Sequence, residues 1–295
     1  MKTGRARPGP SGPCPGPDEA GRHPWVEWGG SGPVLHLAHA NGFPPGTYRR
    51  LATGLATRFT VCSMGLRPLV PGADPGRLAR WEGLADDLRR ELRGRGLTGV
   101  VGAGHSVGAV SSMMASVADP GLFRALVLID PVLFTGPRAR VWGWMKRLGL
   151  SRRLPIVRGA LRRRDRWPSR EEVAASYRGK PLFATWDPGC LDDYLDAGLV
   201  PCRDGGVALR YPTNWEARIF ETSPHDPWPL VARIRVPTLV LRGGRSDAFT
   251  AEAAARFARL APAARIEEVP DTTHLLAMEQ PEEVGTRILA FLATL

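Results

Sequence analysis

A serine stands between two glycines directly after an apolar run. Residues 102–109 read GAGHSVGA, so Gly104, Ser106 and Gly108 occupy alternate positions. A sharp turn from strand to helix strains the backbone of the corner residue and requires small neighbours on both sides. The corner side chain then projects above the sheet edge, and the amide of Val107, at the helix N-terminus, points to where negative charge would develop. The pattern favours Ser106 as a nucleophile over a merely solvated corner serine.

A nucleophilic serine needs a base, and His274 is the best placed of the six histidines. It follows the last predicted strand, in a loop that can reach across the sheet edge. The other histidines lie in the N-terminal tail, in or beside the first strand, next to the serine or in an insertion: His23, His36, His39, His105 and His225.

Two carboxylates compete to orient the imidazole. Asp247 follows a strand in the stretch LVLRGGRSDAF, and Asp130 ends the strand ALVLID. We favour Asp247, because a turn at a strand end presents its carboxylate upward. Asp130 remains the alternative acid.

The elements that position these residues alternate between strand and helix patterns. Strands are predicted near 32–40, 58–64, 97–104, 123–131, 235–243 and 264–270. Helices are predicted near 46–56, 81–92, 107–118, 250–261 and 281–294. This order predicts an α/β fold with a mostly parallel sheet and helices on both faces.

The alternation stops between residues 135 and 231, where prolines, tryptophans and short helical patches replace clear strands. We therefore expect a core formed by 24–134 and 232–295, with 135–231 inserted as a mainly helical lid. Residues 1–23 are rich in Pro, Gly and charge, and are predicted to be a disordered tail.

The chain order Ser106, Asp247, His274 resembles that of the α/β-hydrolase family, serine-nucleophile branch, whose members often carry a helical cap where residues 135–231 stand. Asn41-Gly42-Phe43 aligns with the His-Gly-x motif of that family, although Asn41 replaces its histidine. The resemblance implies an oxyanion hole formed by the backbone amides of Phe43 and Val107.

The resemblance implies a serine hydrolase that cleaves a carboxylic ester, thioester or lactone through an acyl-enzyme, without a metal or other cofactor. Serine rather than aspartate at Ser106 argues against epoxide and haloalkane chemistry. Hydrolysis of a C–C bond, a non-hydrolytic cyclase or acyltransferase, and a ligand-binding scaffold remain alternatives on the same fold.

The N-terminus has no apolar segment of the kind found in secretory signals, and the four cysteines show no CxxC spacing. We therefore expect a cytoplasmic protein with reduced thiols and no structural metal. The sequence leaves the oligomeric state open.

The net charge of +11 is concentrated between residues 138 and 170, where twelve Lys and Arg face one acid, Asp165. Three interpretations remain open for this run: a solvated face, steering of an anionic substrate, or contact with an anionic membrane. No nucleic-acid partner is expected, because the run fits no known module. The small-molecule substrate is expected to be anionic or apolar, since the tryptophans of the insertion either line an apolar pocket or pack the lid onto the core.

Overall fold

The computed structural model describes residues 21–203 and 205–295. Within them, a seven-stranded sheet has the order β1-β3-β2-β4-β5-β9-β10. Strand β1 pairs antiparallel with β3, and the other neighbouring strands are parallel. The strands of this sheet are Trp25–Gly29 (β1), Val34–Ala38 (β2), Thr60–Met64 (β3), Val100–His105 (β4), Phe123–Ile129 (β5), Thr238–Gly243 (β9) and Arg265–Val269 (β10).

Helices cover both faces of the sheet and fill the insertion. They are Arg49–Leu55 (α1), Glu82–Gly94 (α2), Val107–Ala118 (α3), Gly136–Arg147 (α4), Pro155–Arg162 (α5), Arg170–Arg178 (α6), Pro188–Gly198 (α7), Thr213–Thr222 (α8), Trp228–Val231 (α9), Ala251–Leu260 (α10), Leu276–Glu279 (α11) and Pro281–Leu292 (α12). The apolar side chains form one large buried cluster on each face. The prediction of a mostly parallel α/β sheet with helices on both faces is confirmed.

Strand β1 was not among the predicted strands. It is a half-exposed edge strand, and its WVEWG sequence shows neither a long apolar run nor a regular alternation of apolar and polar residues. Tertiary pairing with β3 is what orders it.

The insertion holds strands that its sequence did not reveal. In the described part of the segment 135–231, three very short strands form an antiparallel sheet: Arg166–Trp167 (β6), Leu199–Pro201 (β7) and Val207–Leu209 (β8). Runs of two or three residues are too short to show a period of two. The other regular elements described in this segment are helices. Its division from the core at 134 and 232 stays a prediction.

The predicted tail falls mostly outside the described residues, since residues 1–20 are not described. At its end, His23 is ordered against the core, because its Nδ1 lies 2.8 Å from the carbonyl oxygen of Gly65. In the described residues, no helix is long and apolar enough to cross a membrane.

Candidate active site

Ser106 sits at the corner between β4 and α3, as the glycine spacing predicted. Its φ of 57° is a left-handed conformation that non-glycine residues rarely adopt. A Cβ on Gly104 would lie 2.5 Å from the backbone of Gly108, and one on Gly108 would lie 2.4 Å from the carbonyl oxygen of Ala38. Both glycines are therefore required for the corner to close against the end of β2.

His274 meets Ser106 across the sheet edge. Its Nε2 lies 2.9 Å from the Ser106 Oγ, and its Nδ1 lies 2.8 Å from Oδ1 of Asp130. A carboxylate can only accept a hydrogen bond, so Nδ1 carries the proton and Nε2 presents a lone pair to the hydroxyl. This tautomer is the one that a general base for Ser106 requires.

The structure brings Asp130, and not the favoured Asp247, to the imidazole. Asp247 has a side chain that is 80% exposed and pairs with Arg138 at 3.3 Å, away from His274. The register of the sheet explains this position. Strands β4 and β5 are adjacent, and His105 pairs with Ile129, so the next residues, Ser106 and Asp130, lie side by side at the ends of the two strands. The preference for Asp247 as the orienting acid is therefore corrected to the alternative, Asp130.

The turn that suggested Asp247 contributes through other atoms. The Ser246 hydroxyl donates to Asp130 Oδ1 at 2.6 Å, and the Gly243 amide donates to Oδ2 at 2.9 Å. With His274, these donors hydrogen-bond a carboxylate that is fully buried, and so offset the cost of removing its charge from water. Sequence reasoning missed both residues. The sequence offered one signal for Ser246, because its hydroxyl follows a predicted strand and stands next to the candidate acid Asp247.

Gly243 also leaves room for the loop that carries His274, which we call the histidine loop. A Cβ at this position would lie 2.1 Å from the carbonyl oxygen of Thr273, directly before His274. On its other side the loop is held by Glu279, whose carboxylate accepts from the amide of Thr273 at 2.6 Å and from its hydroxyl at 2.8 Å. These contacts fix the backbone from which the imidazole projects.

His105, directly before Ser106, stabilises the same loop. It is fully buried, and its Nε2 donates to the carbonyl oxygen of His274 at 2.8 Å. Its Nδ1 therefore accepts from the Tyr48 hydroxyl at 2.7 Å, and Tyr48 in turn accepts from the amide of Ala40 at 3.0 Å. The chain of hydrogen bonds links the histidine loop to the turn that holds Asn41, Gly42 and Phe43.

The backbone amides of Val107 and Phe43, the two expected oxyanion donors, differ in the hydrogen bonds that they make. Val107 is the first residue of α3, so its amide has no helical carbonyl to bind. The amide of Phe43 donates to the carbonyl oxygen of Ala40 at 3.3 Å, a long bond that a substrate oxygen can replace. Asn41, the departure from the family motif, ties this turn to α8 by donating to the carbonyl oxygen of Glu216 at 2.9 Å.

Aromatic side chains from the insertion pack on Phe43. Its ring centroid lies 5.6 Å from those of both Trp186 and Tyr194. Beside them, Arg163 pairs with Glu216 at 2.8 Å and donates to the hydroxyls of Tyr177 and Tyr194. A Cβ on Gly42 would lie 3.6 Å from Arg163 and 3.4 Å from Glu216, so this ion pair covers the turn directly.

Five of the six tryptophans in the insertion are buried and pack its helices, and Trp144 is the exception at 65% exposed. The buried ones are Trp142, Trp167, Trp186, Trp215 and Trp228. Packing therefore accounts for most of them. Trp186 also contacts Phe43, in the turn that is expected to supply an oxyanion donor.

Burial keeps several histidines near the site neutral. It lowers the pKa of His36 and His105 from 6.5 to about 3, and that of His39 to about 4. The Nε2 of His36 and that of His39 accept backbone amide hydrogens from Met64 and Leu66, which a protonated ring could not do.

We therefore expect mildly acidic pH to destabilise the fold. Between pH 6.5 and about 4 the unfolded chain binds more protons than the folded one at these three rings, so the unfolding free energy falls as pH falls. Urea unfolding should show a loss of about 5 kcal/mol between pH 7 and about pH 5. His36→Gln should remove about a third of this loss. Equal stability at the two pH values would contradict the assignment.

Comparison with known proteins places the fold in a family. The alpha/beta hydrolase family model matches residues 34–286, most of the chain. The chain therefore belongs to the alpha/beta hydrolase family.

Similar proteins cover much of the chain. The abhydrolase domain-containing protein AFT2-1 of Alternaria alternata is 29% identical over 220 residues, which are 62% of this chain and 79% of that protein. Among solved structures, an E-2-(acetamidomethylene)succinate hydrolase superposes with a TM-score of 0.76 at 23% identity, over 93% of this chain and 97% of the other. The thioesterase domain from the curacin biosynthetic pathway gives 0.70 at 16% identity, over 90% and 94%. At these identities the structures show the shared fold alone.

Proposed function

We propose that this protein is a serine hydrolase that cleaves a carboxylic ester, thioester or lactone through an acyl-enzyme. The observation that carries the proposal is the hydrogen-bonded chain from Ser106 through His274 to Asp130 at the carboxyl edge of the sheet. A merely structural serine would have no need of an imidazole in this tautomer backed by a buried carboxylate. Two proteins that share this fold are a hydrolase and a thioesterase, which agrees with the proposal.

In the first half-reaction, the Ser106 Oγ attacks the substrate carbonyl while His274 Nε2 takes the hydroxyl proton. Asp130 holds the ring in place and stabilises the imidazolium. The amides of Val107 and Phe43 donate to the oxyanion of the tetrahedral intermediate, each worth about 3 kcal/mol. Collapse of the intermediate passes the proton to the leaving group and leaves an acyl-serine. Water then attacks that ester by the same route and releases the acid.

Residues 135–231 act as the lid in this proposal. Ser106 is only 7% exposed. Phe43, one of the two expected oxyanion donors, packs on Trp186 and Tyr194 of the insertion, and we expect these three rings to form an aromatic wall of the substrate site. That aromatic wall suits an apolar acyl group. The Arg163 charge beside it is already matched by Glu216, which favours an apolar over a strongly anionic substrate at this place.

A fluorophosphonate probe tests the proposal, because it reacts with serine hydroxyls that a neighbouring base activates. We expect a single labelled tryptic peptide that contains Ser106, with Ser106→Ala as the unlabelled control. Two results would contradict the assignment of Ser106 as the nucleophile. One is a protein that circular dichroism shows to be folded but that takes no label, and the other is labelling at a different serine. Nitrophenyl esters and acyl thioesters of increasing chain length then distinguish the substrate classes.

A further inference from the structure

The outer surface of α4 and α5 combines exposed apolar side chains with arginines. Among the described residues, five of the seven large hydrophobic side chains that are exposed lie between residues 141 and 161. We call this surface the basic apolar face. It consists of Arg140, Val141, Trp144, Arg147, Leu148, Arg153, Ile156, Arg158, Leu161 and Arg162.

We propose that the basic apolar face binds the surface of an anionic lipid bilayer. This inference goes beyond the proposed hydrolase activity and does not depend on it. It concerns an interaction surface that neither the triad nor the aromatic wall uses.

The apolar residues share one side of α4. Val141, Trp144 and Leu148 are spaced by three and four positions, which places them in one stripe along the helix. Their side chains are 59%, 65% and 50% exposed, so the stripe points to solvent rather than to the core. A stripe of this kind on a short helix is the pattern of an interfacial helix, which buries its apolar side just below the lipid headgroups.

The neighbouring helix α5 also exposes apolar side chains. The buried sides of α4 and α5 share one small apolar cluster, which includes Trp142, Leu154, Val157 and Ala160 and rests on Ala217 of α8. Because the inner sides of both helices pack on one cluster, the two helices lie near each other, and their remaining sides are exposed. Ile156 and Leu161 of α5, 41% and 45% exposed, add apolar surface to this part of the insertion.

The charge of this surface is uncompensated, unlike that of several other arginines of the basic run. Arg138, Arg163 and Arg170 pair with acids elsewhere in the fold. Within the described part of the chain, the arginines of the basic apolar face have no carboxylate within salt-bridge distance. They are exposed on the same helices as the apolar stripe or on the link between them.

A bilayer is the occupant that matches both features. A second copy of the chain would bring the same positive face and be repelled, and a nucleic acid would leave the Val, Leu and Ile side chains in water. An anionic membrane supplies an apolar layer for the stripe and lipid phosphates and carboxylates for the arginines. Trp144, with an apolar ring and a polar N–H, suits the boundary between the two.

Co-sedimentation of the full chain with vesicles tests the proposal. We expect binding to vesicles of phosphatidylcholine mixed with phosphatidylserine to exceed binding to phosphatidylcholine alone by about 10-fold or more, and to weaken as salt is added. The double variant Trp144→Ser with Leu148→Ser should lose about 10-fold or more in partitioning, because it removes two side chains that enter the apolar layer. The triple variant Arg147→Gln, Arg158→Gln, Arg162→Gln should lose a similar factor on anionic vesicles only.

Matched controls lie on other surfaces. Leu182→Ser removes an equally exposed apolar side chain, and Arg58→Gln, Arg124→Gln, Arg233→Gln removes the same charge from exposed positions outside the insertion. Both controls should bind vesicles within about 2-fold of the wild type, and circular dichroism should show every variant folded.

Three results would overturn the proposal. The first is the absence of binding to anionic vesicles by the folded wild-type chain, and the second is a loss in the controls as large as in the test variants. The third is a different occupant: a dimer in gel filtration that Trp144→Ser with Leu148→Ser dissociates, or binding to duplex DNA that is tighter than binding to vesicles. Each readout is independent of catalysis, so the hydrolase proposal can fail while this one stands.

Discussion

Asp130→Asn should lower kcat by about 10²- to 10⁴-fold on any ester that the protein hydrolyses. The amide keeps the size of the carboxylate, and its oxygen can take the place of Oδ2 and still accept from the Gly243 amide. Its NH₂ group can face the imidazole instead, which would stabilise the tautomer with the proton on Nε2. His274 would then have no lone pair for Ser106, and the loss is a loss of catalysis rather than of folding.

Asp247→Asn is the matched control, because it makes the same change in the carboxylate that the sequence favoured. Its side chain is 80% exposed and contacts Arg138, so kcat should change by about 2-fold or less. Steady-state kinetics on one ester, with circular dichroism of both variants, decides between the acids. A larger effect of Asp247→Asn than of Asp130→Asn would mean that the loop after β9 rearranges when substrate binds.

Ser106→Ala should remove turnover, with a fall in kcat of about 10⁴-fold or more, because no acyl-enzyme can form without the hydroxyl. Its free energy of unfolding should change by less than about 1 kcal/mol, since alanine meets the same backbone conformation and fits the same space. The strain lies in the φ of 57° at this position, which the alanine would have to adopt just as the serine does.

Ser106→Gly separates strain from chemistry. Glycine adopts positive φ without a steric penalty, so this variant should unfold at a higher temperature than Ser106→Ala while being equally inactive. Thermal unfolding followed by circular dichroism measures the difference. A glycine variant less stable than the alanine variant would show that the corner is not strained, and ester turnover in either variant would remove Ser106 from the mechanism.

Local patterns in the sequence predicted the sheet, the corner serine and the histidine loop. These features depend on residues close together in the chain: an apolar strand followed by spaced glycines for Ser106, and a last strand followed by a polar loop for His274. Steric limits on a tight turn and the alternation of strands and helices act over short distances, so they leave a mark that one sequence shows.

Tertiary structure alone decided which carboxylate faces His274. Asp130 and Asp247 both follow strands, and nothing local distinguishes them. The register of β4 with β5 sets Asp130 beside Ser106, while the turn after β9 directs Asp247 to Arg138 and Ser246 inward. Tertiary structure also decided which arginines of the basic run are paired. Acids from other parts of the fold pair with some of them, and the arginines of the basic apolar face stay exposed. Pairing between distant residues depends on where the folded chain places them, and composition and spacing do not encode that directly.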